Sequence, residues 1–434
     1  MRSSLVRTAV TVFTLAAAAP AAAQVPLTPR SLGMGGAYVA VARGHEALFL
    51  NPANLGLPGT SHWSFGIPTL TLGYSLLGIG YGDARDLLGF DELDQAERDE
   101  ILEKIPEPGT ELRGDLRIPL VAAQIRRFAV GVSYGIIGSH TVDRDIVDLL
   151  LNGPILGRND DVLPDETQGF RAEYVDFALA HGRRFGPVSV GATAHWYLGN
   201  TLLRAGITSV QVVTAPQPDV LVTYSGVKSE GGSGFGLDLG LAAEPAPGVT
   251  VSASLGNVVN TFEWDDALRR RRLVLDRTDY QSGDPDALLG EYEASETDYD
   301  PATSTAAEQA LAADLEEGTE LPRTLRVGAA WRPAALRNAV FAAAYQGNLE
   351  DSRVGGMWDR SLSVGWQQQF TRMVGLRAGV ASNLDDGGLL GAGVSFGPVH
   401  LGVARLSDGS VDGKGRDGWT FTFGLGTRSN STMP

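Results

Sequence analysis

The 434-residue chain has no cysteine. That excludes a disulfide scaffold, a zinc ribbon, an iron–sulfur cluster held by thiolates and a cysteine nucleophile. Basic residues are also short, with 35 Lys and Arg against 51 Asp and Glu and a formal net charge of −16, so no nucleic-acid partner is expected. The six histidines (His45, His62, His140, His181, His195 and His400) are scattered without metal-ligand spacing, and no Ser–His–acid arrangement is legible. No Gly-Lys-Ser/Thr phosphate cradle follows the Gly33-Met34-Gly35-Gly36 run. No catalytic residue, metal ligand or cofactor is therefore expected. What the chain has in excess is glycine, 55 residues or roughly one in eight, against ~7% in ordinary proteins. Acid surplus and glycine surplus together are the pair to explain.

Residues 1–23 carry Arg2 and Arg7, an apolar stretch from Ala9 to Ala19, and Ala21 and Ala23 in an A-x-A arrangement. This predicts a signal peptide cut before Gln24. The alternative, an anchoring helix, needs ~20 apolar residues and lacks the small-residue cleavage site. After Gln24 no apolar run is long enough for a spanning helix. An exported chain of this kind ends free in the periplasm, outside the cell, or in an outer membrane as a barrel.

The strand pattern favours the barrel. Phe128, Val130, Val132, Tyr134 and Ile136 alternate with Ala129, Gly131, Ser133 and Gly135. Val188, Val190, Ala192, Ala194 and Trp196 likewise oppose Ser189, Gly191, Thr193 and His195, and the last strand sets Trp419, Phe421, Phe423 and Leu425 against Thr420, Thr422, Gly424 and Gly426. Period-two alternation of this kind suits a strand with one face in lipid. Fourteen segments read this way: 62–75, 114–126, 128–142, 170–183, 187–203, 233–244, 248–262, 323–332, 338–348, 360–370, 374–383, 388–397, 399–408 and 418–428. A soluble β-sandwich would also alternate. The connections separate the two readings, because long stretches (76–113, 143–169, 204–232 and 263–322) alternate with tight links such as Arg126-Arg127 and Arg332-Pro333. Long loops outside, short turns inside and an even strand count describe an all-β, antiparallel transmembrane barrel spanning 62–428, with a tail at 429–434.

The acid surplus has an address. Residues 83–115 hold twelve acids and four bases, and 263–323 hold seventeen acids and six bases, so the two contribute −8 and −11 and leave +3 for the rest. Apolar stripes at Leu93, Ala96, Ile101, Leu102 and Ile105, and at Ala306, Ala310, Leu311 and Leu315, predict short helices in these loops. They would form a lid, a docking face or, over 276–305, a solvated stretch without fixed structure. Arg269–Arg272 would meet lipid phosphates or pair with acids of its own loop.

Ahead of the first strand, residues 24–61 form an expected hatch inside the lumen. Gly33, Gly35 and Gly36 allow close backbone approach, Ala37–Ala42 is a run of small residues, and Asn51-Pro52-Ala53 turns the chain. This segment resembles the FadL-like family of outer-membrane barrels, including its PorV-type branch, whose near-N-terminal G-x-A…A…G…A…N-P-A-x-L pattern is matched by Gly35, Ala37, Ala40, Gly44, Ala47, Asn51, Pro52, Ala53 and Leu55. The resemblance implies a fourteen-stranded barrel with an N-terminal hatch, in the outer membrane of a diderm bacterium. It implies a channel for long-chain fatty acids or other hydrophobic compounds or, in the PorV-like branch, a barrel that does not transport but anchors or shuttles secreted proteins. The expected partners are thus outer-membrane lipid and either a hydrophobic small molecule or a secreted protein. Unlike the common barrel ending, this chain continues past Leu425 as GTRSNSTMP.

Four inward polar residues stand out among Gly, Ser, Ala and Thr: His195, Asp238, Arg326 and Arg377. Arg326 and Arg377 would hold a carboxylate headgroup, pair with the hatch, or be ordinary solvated lumen charges. His195 would be structural or bonded to water.

Overall fold

The computed structural model describes residues 28–76, 95–104, 109–145, 148, 168–213, 219–276, 291–315, 317, 319–336, 338–350, 360–384, 387–407 and 417–428. The expected signal peptide and the C-terminal tail lie outside them.

Two short helices, α1 (Pro29–Gly33) and α2 (Ala47–Leu50), and two 3-10 turns, Gly44–Glu46 and Pro52–Gly56, precede the strands. Then follow β1 (Trp63–Leu76), α3 (Gln95–Lys104), β2 (Gly109–Ile125), β3 (Phe128–Asp143), β4 (Gln168–Phe185), β5 (Val188–Val213), β6 (Asp219–Ser229), β7 (Gly232–Ala246), β8 (Val249–Asn260), β9 (Glu263–Trp264), β10 (Leu268–Asp276) and β11 (Glu291–Asp298). The chain continues through α4 (Ala306–Ala313), β12 (Thr324–Trp331), β13 (Ala339–Asn348), β14 (Arg360–Gln369), β15 (Val374–Asn383), β16 (Gly388–Phe396), β17 (Val399–Ser407) and β18 (Asp417–Arg428).

Fourteen of these strands close an antiparallel barrel. β5 pairs with β7, β8 with β12, and β18 returns to β1 from Ser64↔Arg428 to Leu76↔Asp417, so closure joins the two ends of the sheet. The alternation works as the sequence implies. Phe235, Leu241, Trp331, Val364 and Phe421 are exposed on the outer face, while Thr193, His195, Ala330, Ser363 and Thr420 are buried on the inner one. So much outward apolar surface is untenable in water and natural against lipid tails. No helix among the described residues is long and apolar enough to span a membrane, and the strands cross instead.

The fold departs from expectation in the long connections. β5 runs for 26 residues, far beyond the ~9–11 needed to cross a bilayer. Its outer half pairs with β6, β6 with β10, and β10 with β11, so a four-stranded outer sheet extends the wall at the long-loop end. Residues 204–232 and 263–322, read as loops, therefore contain four strands. Alternation does not reveal them because neither side meets lipid: β6 buries Ser225 and Val227 alike, and β10 sets four arginines in succession. β11 also falls inside 276–305, where unstructured chain was one expectation, although 277–290 lies outside the described residues. Helices α3 and α4 occur where the apolar stripes place them.

Candidate functional site

The hatch is seated by backbone laid on glycine. Thr28 caps α1 by accepting from the Ser31 N–H (3.2 Å), and Pro29 occupies a position where no donor is needed. Gly35 and Gly36 then take positive φ (62° and 87°), which turns the chain tightly. A side chain on Gly35 would stand 2.6 Å from the Val380 nitrogen, and one on Gly33 3.0 Å from the Gly393 α-carbon. Gly379, Gly391 and Gly393 receive Leu32–Met34 in the same way, and Gly182, Gly191 and Gly240 receive Asn51–Ala53. Ala37 is buried against Ala330, Ala342 and Ala344. Asn51 fixes the other end: its Oδ1 accepts from the Ala53 N–H (3.0 Å), and its Nδ2 donates to the carbonyls of Leu241 (3.0 Å) and Ala253 (3.1 Å). Pro52 opens the 3-10 turn, and the Ala53 carbonyl accepts from Ser189 Oγ (2.6 Å).

One polar knot pins the hatch to the wall. Glu46 Oε2 accepts from Arg30 Nη1 and from the Tyr38 hydroxyl, both at 2.9 Å, and Arg30 Nη2 meets His400 Nε2 at 2.7 Å. Because the guanidinium donates, His400 Nε2 accepts, so its Nδ1–H points to Ser395 Oγ at 2.9 Å. Beside the knot is a small cavity lined by Arg30, His45 and Phe49 of the hatch and by Gly66, Pro119 and Ala122 of the wall. The wall is unzipped there. Among the described residues β1 pairs with β2 only from Trp63↔Ile125 to Gly66↔Ala122, and both strands carry a proline just beyond, Pro68 and Pro119, which cannot donate to a ladder.

Above the hatch, towards the long loops, a row of buried charges runs along the inner wall over β4, β5, β7 and β12. His195 Nδ1 meets Asp176 Oδ1 at 2.8 Å and its Nε2 stands 3.3 Å from Asp238 Oδ2. Asp238 Oδ1 accepts from the Asn257 N–H (2.8 Å). A side chain on Gly256 would be 3.6 Å from both Asp238 Oδ1 and Arg326 Nη1, so the bare glycine leaves the two charges facing across it. Arg326 Nε donates to Gln346 Oε1 (3.3 Å). Two acids and two bases thus alternate along the row. Ser133 Oγ donates to Asp176 Oδ2 (3.4 Å) and the imidazole holds Oδ1, so hydroxyl and histidine occupy different oxygens and no activated serine results. The structure thus brings together His195, Asp238 and Arg326. Arg377 lies apart on β15, donating from Nε to Gln367 Oε1 (3.0 Å) against the seat of Gly33. Asp176 was overlooked in the sequence although it shares the small-residue face of Ala178 and Ala180.

Beyond the charged row the mouth turns aromatic. Tyr197 stacks on His195 (5.4 Å between centroids, 6° between planes), Tyr174 meets Tyr197 edge-on at 5.9 Å, and Phe262 meets Trp264 at 4.9 Å. Leu311, Leu315 and Leu321 close over them in one buried cluster. Arg269–Arg272 belongs to the outer sheet, where strand alternation splits the run. Arg270 and Arg272 reach Glu308, and Arg269 and Arg271 reach Glu296, so both faces pair with acids of the same loop.

Among solved structures the chain is similar to the toluene transporter TbuX of Ralstonia pickettii at 14% identity and TM-score 0.50, over 94% of this chain and 99% of that one. It is similar to a Pseudomonas aeruginosa FadL homologue at 12% and 0.51, over 93% and 98%. A third likeness, at 13% and 0.50 over 92% and 98%, is to a deletion mutant of the TodX monoaromatic hydrocarbon channel. The chain therefore has the fold of the FadL-like outer-membrane barrels, along nearly its whole length. No protein-family model and no curated protein sequence matches it.

Proposed function

We propose that the chain is an outer-membrane channel for hydrophobic compounds, gated by the hatch. The observation that carries this reading is the coincidence of the unzipped β1–β2 wall with a cavity beside the hatch. A ligand entering at the aromatic mouth passes the charged row, reaches the hatch, and leaves sideways between β1 and β2 once the Arg30–Glu46–His400 knot loosens. Similarity of fold to a toluene transporter and a monoaromatic hydrocarbon channel supports it.

Charge narrows the substrate. The two long acidic segments sum to −19, and His195 and Arg326 already face Asp176 and Asp238, so a fatty-acid anion would find repulsion outside and, in that row, only bases that carboxylates already face. Uncharged hydrophobes, aromatic or aliphatic hydrocarbons, are the favoured cargo. His195, Asp238 and Arg326 then act as a polar floor beneath the mouth, and Arg377 serves the hatch seat. Cells that carry the chain should take up radiolabelled toluene or hexadecane several-fold faster than a deletion strain. Equal uptake, or purified barrel carrying a secreted protein and no hydrophobe by mass spectrometry, would sink this reading.

A further inference from the structure

Glu308 is an unusual acid for an outer loop, because its side chain is fully buried. Every contact it makes ties α4 to the outer sheet or closes the helix start. Oε1 accepts from Arg272 Nη2 (2.8 Å) and from Ser225 Oγ (3.1 Å), and Oε2 accepts from the Thr305 N–H (2.9 Å) with Arg270 Nη1 at 3.6 Å. The return bond from the Glu308 N–H to Thr305 Oγ1 completes a capping box. One turn and two turns further on, Leu311 and Leu315 insert among Tyr174, Tyr197, Phe262 and Trp264, and Leu315 is wholly buried. Asp314 adds a pair to Arg204 of β5 (3.2 Å). The apolar mouth is therefore occupied by the chain's own leucines, held down by a carboxylate on the same buried face of that helix.

We propose that Thr305–Leu315 is a self-occupying lid, in which Leu311 and Leu315 fill the apolar mouth and Glu308 is the latch that keeps them there. The latch follows from contacts alone, whereas the exclusion of an entering hydrophobe rests on the transport reading. Opening costs the burial of two leucines together with the separation of one carboxylate from two guanidiniums and a hydroxyl. A hydrophobic molecule that occupies the aromatic site returns the first part, so the lid yields to apolar ligands and resists water and ions.

The absence of cysteine makes a direct test possible. In outer-membrane vesicles, Leu315→Cys is exposed to a membrane-impermeant maleimide, with Ala302→Cys, on the exposed side of the loop, as a label-accessible reference. Adding Glu308→Gln should raise Leu315→Cys labelling at least about tenfold and leave Ala302→Cys unchanged. Arg272→Gln should raise it in the same direction. Ala53→Cys, buried in the hatch, reports on the barrel and should remain unreactive in both backgrounds. Unchanged Leu315→Cys labelling, or equal rises at Leu315→Cys and Ala53→Cys, would overturn the lid. Hexadecane added to the unlatched variants should raise labelling further. If the latch variants respond and hexadecane does not, the lid stands and the hydrophobe channel falls.

Discussion

The hatch and the lid plug one lumen by different means. Residues 28–57 sit through main chain pressed on glycine and through Asn51, with the Arg30–Glu46 ion pair beside them. Thr305–Leu315 sits through two leucines and the charges that meet on Glu308. Backbone on backbone has no rotamers to relax, so the hatch seat accepts one shape and tolerates no added atom. A latch of ionic groups and mobile leucines can part and re-form. The difference teaches that the lower plug was built for fit and the upper one for release.

Gly379→Val should break the contrast hardest. Its side chain would drive into the Met34 main chain, at a cost of about 3 kcal/mol or more, and limited proteolysis should then cut the hatch while the lid is unaffected. Leu315→Ala should do the converse, loosening the lid by ~2–3 kcal/mol, read as faster hydrogen exchange across α4 with no change at Asn51–Ala53. Asn51→Ala removes the donor to the Leu241 and Ala253 carbonyls and the side-chain acceptor of the Ala53 N–H, and should raise exchange in the hatch by the equivalent of ~1–3 kcal/mol.

The smallest effect is a matter of pH. Burial pushes the Glu308 carboxyl up, but the Thr305 N–H, the Arg272 guanidinium and the Ser225 hydroxyl outweigh it and hold the group below the ordinary glutamate value. A depressed folded value means that the latch contributes fully above the unfolded value, ~4.3, and is lost as pH falls through the lower folded one. Arg270 and Arg272 of β10 and the Arg204–Asp314 pair face this helix. Exchange in α4, corrected for its intrinsic pH dependence, should therefore accelerate on acidification below about pH 4, while Asn51, which does not titrate, holds its turn.

How much of this could be read from the chain depended on what each face touches. The fourteen wall strands were legible because one face meets lipid and the other meets a close-packed hatch, which forces apolar residues to alternate with glycine, serine and alanine. β6, β10 and β11 were not legible, since without a lipid-facing side apolar residues need not alternate: Val227 of β6 is fully buried beside the buried Ser225, and Arg269–Arg272 puts arginine on both faces of β10. His195, Asp238 and Arg326 could be placed on the inner face by parity, but their assembly depends on the registers of β5, β7, β8 and β12, including the shift between Leu237 and Leu239. Glu308 sat in a readable Thr305-x-x-Glu308 capping box. Its second task was invisible because its partners, Ser225 and Arg272, lie on strands that no pattern announced.

The outer sheet carries one further consequence, in the matter of neighbours. Where the barrel wall joins its own ends at β1 and β18, the strip β5–β6–β10–β11 ends, among the described residues, on β11 with β10 alone beside it. An unpaired strand on the surface is an invitation to the same strand of another copy. Its eight residues include Glu291, Glu293, Glu296 and Asp298 and no base, so two such edges repel each other as they approach. The acids of this edge therefore oppose strand-to-strand pairing with another copy at the outer sheet.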